Sequence, residues 1–67
     1  MKNYIVMSVV AFGVVYYYSG YDRVQQCNLW SNDINESEYV TRNEAYDIVG
    51  LAKGLSPVQL YIVGEIR

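Results

Sequence analysis

The sequence has no histidine, one cysteine and one proline among its 67 residues. Histidine is the usual general base at neutral pH and the commonest metal ligand, so its absence excludes the common catalytic triads and most zinc sites. The single cysteine, Cys27, can form neither an intramolecular disulfide nor a cysteine-rich metal site. We therefore expect no catalytic residues, no cofactor and no metal site, and we expect that the protein is not an enzyme.

Positive charge is also scarce, with 5 basic residues against 7 acidic ones, a net charge of −2 and a pI near 4.7. Such a chain has little electrostatic attraction for a phosphate backbone, so nucleic acid is not the expected partner. A hydrophobic content of 52% also excludes a disordered acidic tail. Residues 1–67 are long enough for a single small domain, whose stability is either marginal or shared with a partner.

Charged residues are missing altogether from residues 3–21. This stretch is nearly long enough to cross a bilayer as a helix, and the preceding Lys2 would suit a cytoplasmic flank. One alternative is therefore a single-pass membrane accessory protein that residues 3–21 anchor. The other is a β-hairpin in a cytoplasmic domain.

The hairpin is favoured because valine, isoleucine and tyrosine dominate the stretch. Strands are predicted over residues 3–10 and 14–19, joined by a turn at residues 11–13 in which Gly13 takes the left-handed conformation. Side chains on both faces of the first strand are largely apolar. A second chain is expected to cover one of these faces, so a homodimer is expected.

A helix is predicted after Thr41, which is spaced from Glu44 as in a capping box. Gly54 is expected to end this helix as a left-handed cap, and Pro57 to prevent it from continuing. The predicted apolar stripe consists of Ala45, Ile48, Val49 and Ala52, widened by Leu51 and Leu55.

The rest of the chain is predicted to be one more strand and two irregular segments. Residues 19–22 read as a turn, and residues 30–39 read as a loop with one helical turn over residues 33–37. The strand covers residues 58–66, and the set Val58, Leu60, Ile62 and Ile66 is expected to pack on the helix. The predicted fold class is α+β, a two-layer β-β-α-β domain with an antiparallel sheet and one helix on a face.

Two segments resemble a pattern found in short accessory proteins of phages and other mobile elements. They are Trp-Ser-Asn-Asp-Ile-Asn-Glu-Ser-Glu-Tyr at residues 30–39 and Thr-Arg-Asn-Glu-Ala at residues 41–45. The resemblance covers residues 16–49, and Ser37 stands where such proteins usually have alanine. It implies a role in binding, plausible targets being host proteins, and it brings no catalytic residues.

Two surfaces are candidates for partner binding. Tyrosine is enriched at interface hot spots, and consecutive tyrosines cannot all be buried in one small core. Acidic residues between positions 33 and 47 outnumber Arg42 and would suit a basic surface, although acids near a helix start also favour the helix dipole. The predicted partner-binding residues are Tyr16, Tyr18, Tyr21, Trp30, Asp33, Glu36 and Glu38. The sequence thus predicts a non-enzymatic protein-binding module that modulates or inhibits a host protein.

Overall fold

A computed structural model describes residues 2–55 and 60–66 as a four-stranded sheet with one helix. The strands are β1 (Tyr4–Val9), β2 (Val15–Asp22), β3 (Cys27–Ser31) and β4 (Leu60–Glu65), and the helix is α1 (Arg42–Leu55). All neighbours in the sheet order β3-β2-β1-β4 are antiparallel. The predicted α+β class, with one helix on a face of an antiparallel sheet, is confirmed, and the chain has one strand more than predicted.

The predicted hairpin is present as β1 and β2. Its turn is a short 3-10 segment, Ala11–Gly13, in which Phe12 has φ 66° and Gly13 has φ 75°. The Val10 N–H closes the turn by donating to the Val14 carbonyl oxygen at 2.9 Å. Residues 4–9 and 15–22 are therefore strands, and no helix in the described part of the chain has both the length and the apolar character to span a membrane.

The turn predicted at residues 19–22 is wrong, because β2 continues through it to Asp22. Gly20 has φ 136°, and the pairing with β3 shifts register between Tyr18 and Gly20. The residues predicted to form a turn therefore form a β-bulge within the strand. The chain reverses only after Asp22, whose Oδ1 accepts hydrogen bonds from the N–H groups of Val24 and Gln25 at 2.9 and 3.2 Å. The strand β3 then follows.

The segment before α1 joins the sheet between β1 and β2. Val40 and Tyr4 exchange two backbone hydrogen bonds of 2.8 and 3.0 Å, and the Glu38 N–H donates to the Tyr18 carbonyl oxygen at 2.8 Å. This arrangement buries Val40 in the core. The predicted helical turn in the preceding loop is present as a 3-10 turn at Ile34–Glu36.

The capping box that starts α1 is confirmed. Thr41 N–H donates to Glu44 Oε1 at 3.3 Å, and Glu44 N–H donates to Thr41 Oγ1 at 3.2 Å. The core beneath the helix consists of Val6, Tyr18, Val40, Ala45 and Ile48, with Tyr4, Trp30, Val49 and Val63 packed against it.

The predicted end and width of the helix need correction. Gly54 lies within α1, which runs to Leu55, and it is not among the described glycines with positive φ. Leu51 and Leu55 are exposed rather than part of the buried stripe. The reason is that α1 packs mainly on β1 and β4, so these leucines have little of the sheet beneath them. Pro57 and Val58 lie outside the described residues.

The faces of β4 are the reverse of those predicted. Its register places Val63 beside the fully buried Val6, so Val63 and Tyr61 point towards α1. Leu60 and Ile62 lie on the opposite face and are exposed. Both faces of this strand are apolar, so the alternation alone could not determine which one the helix covers.

Candidate functional site

Partial coverage by α1 leaves a groove on the helix side of the sheet, lined by residues of all four strands and of α1. Two adjoining cavities of about 310 and 320 Å³ share Trp30, Ala52 and Leu55 in their walls. We call this the aromatic groove and define it by Tyr16, Tyr21, Trp30, Tyr61, Leu51 and Leu55, which line the two cavities.

Trp30 is held at the centre of the groove by two aromatic neighbours. The Tyr18 ring meets it edge-on, with ring centres 5.9 Å apart and planes at 77°. The Tyr61 ring lies 6.3 Å away at 51°. An edge-to-face pair such as Tyr18 and Trp30 adds to the stability gained by burial. The floor of the groove is therefore attached to the core through ring contacts.

The rim of the groove is unusually apolar for a protein surface. Leu51 is 65% exposed, Leu55 87% and Tyr21 51%. Scattered exposed apolar side chains are ordinary, whereas a concave cluster next to aromatic rings is typical of a binding surface. The arrangement can accept apolar side chains from a second molecule.

Negative charge lies near Tyr18, which is buried beneath the groove. Burial raises the pKa of the Tyr18 phenol, and the nearby carboxylates of Glu38 and Glu44, and then Tyr21, raise it further. A Cβ built on Gly20 would lie 3.7 Å from Glu38 Oε2, so the Glu38 carboxylate is next to the bulge that precedes Tyr21. A cationic group on a ligand of the groove would therefore meet favourable charge.

The structure brings together some of the predicted partner-binding residues and separates others. Tyr16, Tyr21 and Trp30 line the groove, whereas Tyr18 is buried beneath it and presents almost no surface. Glu38 lines neither cavity, and its carboxylate lies next to the bulge in β2. Tyr18 contributes by supporting Trp30 rather than by an exposed side chain.

The two other predicted acids lie apart from the groove, in the turn before α1. Asp33 Oδ1 accepts a hydrogen bond from the Asn35 N–H at 2.9 Å, and Glu36 Oε1 accepts one from Ser31 Oγ at 2.6 Å. Ser31 is paired with Tyr17, so it lies on the opposite sheet face from Trp30. Both carboxylates thus stabilise their own segment.

Sequence reasoning missed three residues of the groove, namely Leu51, Leu55 and Tyr61. The predicted stripe includes both leucines, and the predicted strand face that packs on the helix does not include Tyr61. No local signal separated the leucines from the buried positions, because about four apolar positions per two turns is also the pattern of a fully covered amphipathic helix.

The described residues, 2–55 and 60–66, contain no group of three histidine, cysteine, aspartate or glutamate side chains that could hold a metal ion. Cys27 is an exposed free thiol at the edge of the groove. The chain matches no protein-family model, and no curated protein or solved structure is significantly similar to it. The resemblance to phage accessory proteins stays a prediction.

Proposed function

We propose that the chain is a non-enzymatic protein-binding module whose contact surface is the aromatic groove. The observation that carries this proposal is the position of α1 over β1 and β4, which leaves Tyr16, Tyr21 and Trp30 open beside two exposed leucines. Rigid aromatic side chains in a water-excluding depression are the usual centre of a protein interface.

The partner that fits this surface presents apolar side chains flanked by lysine or arginine. The apolar side chains would fill the groove, and the basic ones would be attracted by the carboxylates of Glu38 and Glu44, whose charge acts on Tyr18 beneath the groove. Following the resemblance to phage accessory proteins, we propose a protein of the host cell as the partner, with modulation or inhibition of that protein as the result and the host cytoplasm as the place.

Paired substitutions test the apolar part of the surface. Tyr21→Ser removes a groove tyrosine that is 51% exposed, and Tyr46→Ser is its control because Tyr46 is 54% exposed on α1 outside the groove. Leu55→Ser has a similar control in Val24→Ser, in the turn after β2. Each variant, once its circular dichroism matches the parent, is used to capture proteins from a lysate of the cells in which the chain occurs.

We expect at least one protein that the parent chain and both control variants capture in similar amounts. Each groove variant should capture about tenfold less of it or lower still, since a hot-spot truncation typically costs more than about 1.4 kcal/mol of binding free energy. Quantitative mass spectrometry measures this ratio. Equal capture by all five chains, or loss with the controls alone, would show that the groove is not the contact surface.

The contribution of the Glu38 charge is tested with the purified partner from that capture. Glu38→Lys should slow association and reduce the effect of added salt on the association rate. Glu36→Lys changes the charge of the chain equally at a site away from the groove and should leave the rate nearly unchanged. Equal effects of the two reversals would indicate general attraction rather than a local contact.

A further inference from the structure

The sheet face opposite α1 is apolar and largely uncovered. Its centre is a grid in which Met7 lies between Tyr17 and Ile62, and Val9 lies between Val15 and Leu60. We call these six residues the open face. None of them carries a charge, although 18% of the residues in the chain do.

Among residues 2–55 and 60–66, side chains cover this side of the sheet at one end alone. Ile5 is 4% exposed, and Ile34, Ser37 and Tyr39 lie beside it. Towards the turn that joins β1 and β2 the cover ends, and Leu60 is 62% exposed. A sheet with apolar side chains on both faces normally has both faces covered, so this half of the face lacks a neighbour.

We propose that a second copy of the chain covers the open face, with the two sheets packed face to face about a two-fold axis. In such a contact each patch meets itself, so a charge near the axis would meet its own like charge. An uncharged, apolar face avoids this repulsion, because it places no charge near the axis. Two sheets that pack in this way lie about 10 Å apart, and their inner side chains interdigitate.

The open face is the centre of the contact and not all of it. A standard interface takes about 800 Å² from each partner, roughly a sixth of the 4941 Å² accessible surface of the described chain. The contact therefore extends to the exposed apolar side chains beside Ile5 on the same side of the sheet, Ile34 (54%), Tyr39 (49%) and Ile66 (36%).

This proposal does not rest on the proposed function, because the aromatic groove lies on the other side of the sheet. A dimer through the open face presents two free grooves facing away from each other. Loss of dimerisation and loss of partner capture can therefore be produced by different substitutions.

Two matched leucines provide the test. Leu60→Lys adds a charge to the open face, and Leu51→Lys adds the same charge to the groove at a residue of similar exposure, 62% against 65%. Sedimentation velocity over a range of concentrations should show a dimer for the parent chain and for Leu51→Lys, and a monomer for Leu60→Lys. Ile62→Lys, also on the open face, should behave like Leu60→Lys, and circular dichroism verifies that each variant is folded.

Three results would overturn the proposal. One is a parent chain that remains monomeric at concentrations near 1 mM. Another is a dimer that Leu51→Lys disrupts and Leu60→Lys leaves intact. The third is a dimer in which hydrogen exchange of the outward β4 amides is strongly protected, because that indicates pairing of sheet edges rather than packing of faces.

Discussion

The hydroxyl of Tyr61 donates a hydrogen bond to the carbonyl oxygen of Ala52 across a distance of 3.3 Å. This contact joins β4 to the second half of α1, where the helix carbonyls approach the sheet. The Tyr61 ring also contacts Trp30, so the same side chain supports the floor of the aromatic groove. One side chain thus contributes both to the contact between β4 and α1 and to the floor of the groove.

Tyr61→Phe removes this hydrogen bond and keeps the ring. We expect the free energy of unfolding to fall by about 1 kcal/mol, the usual net value of an intramolecular hydrogen bond. Urea unfolding monitored by circular dichroism measures the change. Tyr39→Phe is the control, since Tyr39 is exposed, and it should alter the stability by less than about 0.5 kcal/mol. Equal effects of the two substitutions would contradict a structural role for the Tyr61 hydroxyl.

Elements whose signals are local could be predicted from the sequence. The Thr41 and Glu44 cap depends on four consecutive residues, and the β1–β2 hairpin on a short turn with Gly13 in the left-handed conformation. The strand β3, Cys27–Ser31, has no clear local signal, because polar residues flank Leu29 and Trp30 and only pairing with β2 makes the segment a strand. In β2 the residues around Gly20 favour a turn equally well, and the same pairing makes them a bulge.

The groove was only partly predictable, because it depends on where the helix sits across the sheet. Aromatic content identified Tyr16, Tyr21 and Trp30 as candidates. The positions of Leu51 and Tyr61 follow from the register of β4 and the placement of α1, which no local pattern determines. The acidic pattern alone predicts one surface for Glu36 and Glu38, although the Glu36 carboxylate contacts Ser31 and the Glu38 carboxylate lies near Gly20.

The capping box makes part of the stability depend on pH. Hydrogen bonds from the Thr41 side chain, and then from its backbone, lower the pKa of Glu44 below its usual value of 4.5. A carboxyl group with a lowered pKa in the folded state stabilises the fold above the unfolded pKa, and the contribution is lost as the pH falls through the folded pKa. We therefore expect the stability advantage of the parent over Glu44→Gln to shrink below about pH 4.5.

Titration by NMR tests directly whether hydrogen bonds from Thr41 lower the pKa of Glu44. In Thr41→Ala the side-chain hydrogen bond is gone, so the Glu44 pKa should rise towards its usual value. An unchanged Glu44 pKa in this variant would show that another charge, such as the more weakly acting Lys2, sets it.

Substitution by alanine should change the free energy of unfolding in opposite directions at two glycines. Gly20 has φ 136°, where a residue with a Cβ is strained, so Gly20→Ala should lower the free energy of unfolding by about 1 to 3 kcal/mol. Gly50 lies in α1 with open space around its Cα, so Gly50→Ala should raise it by about 1 kcal/mol. Thermal and urea unfolding measure both. Stabilisation by Gly20→Ala would mean that β2 has no bulge there.

Phe12 is fully exposed and holds φ 66°, a left-handed conformation that costs most side chains about 1 to 2 kcal/mol. Asparagine adopts this conformation more readily, and the Phe12 ring contributes no burial that could be lost. We expect Phe12→Asn to raise the free energy of unfolding by about 0.5 to 1 kcal/mol. Phe12→Val should lower it, because a β-branched side chain is strongly disfavoured at positive φ. Urea unfolding of the parent chain, Phe12→Asn and Phe12→Val at one protein concentration gives the order of their free energies of unfolding. If valine proved as stable as asparagine, the turn would have to close without a left-handed residue at position 12.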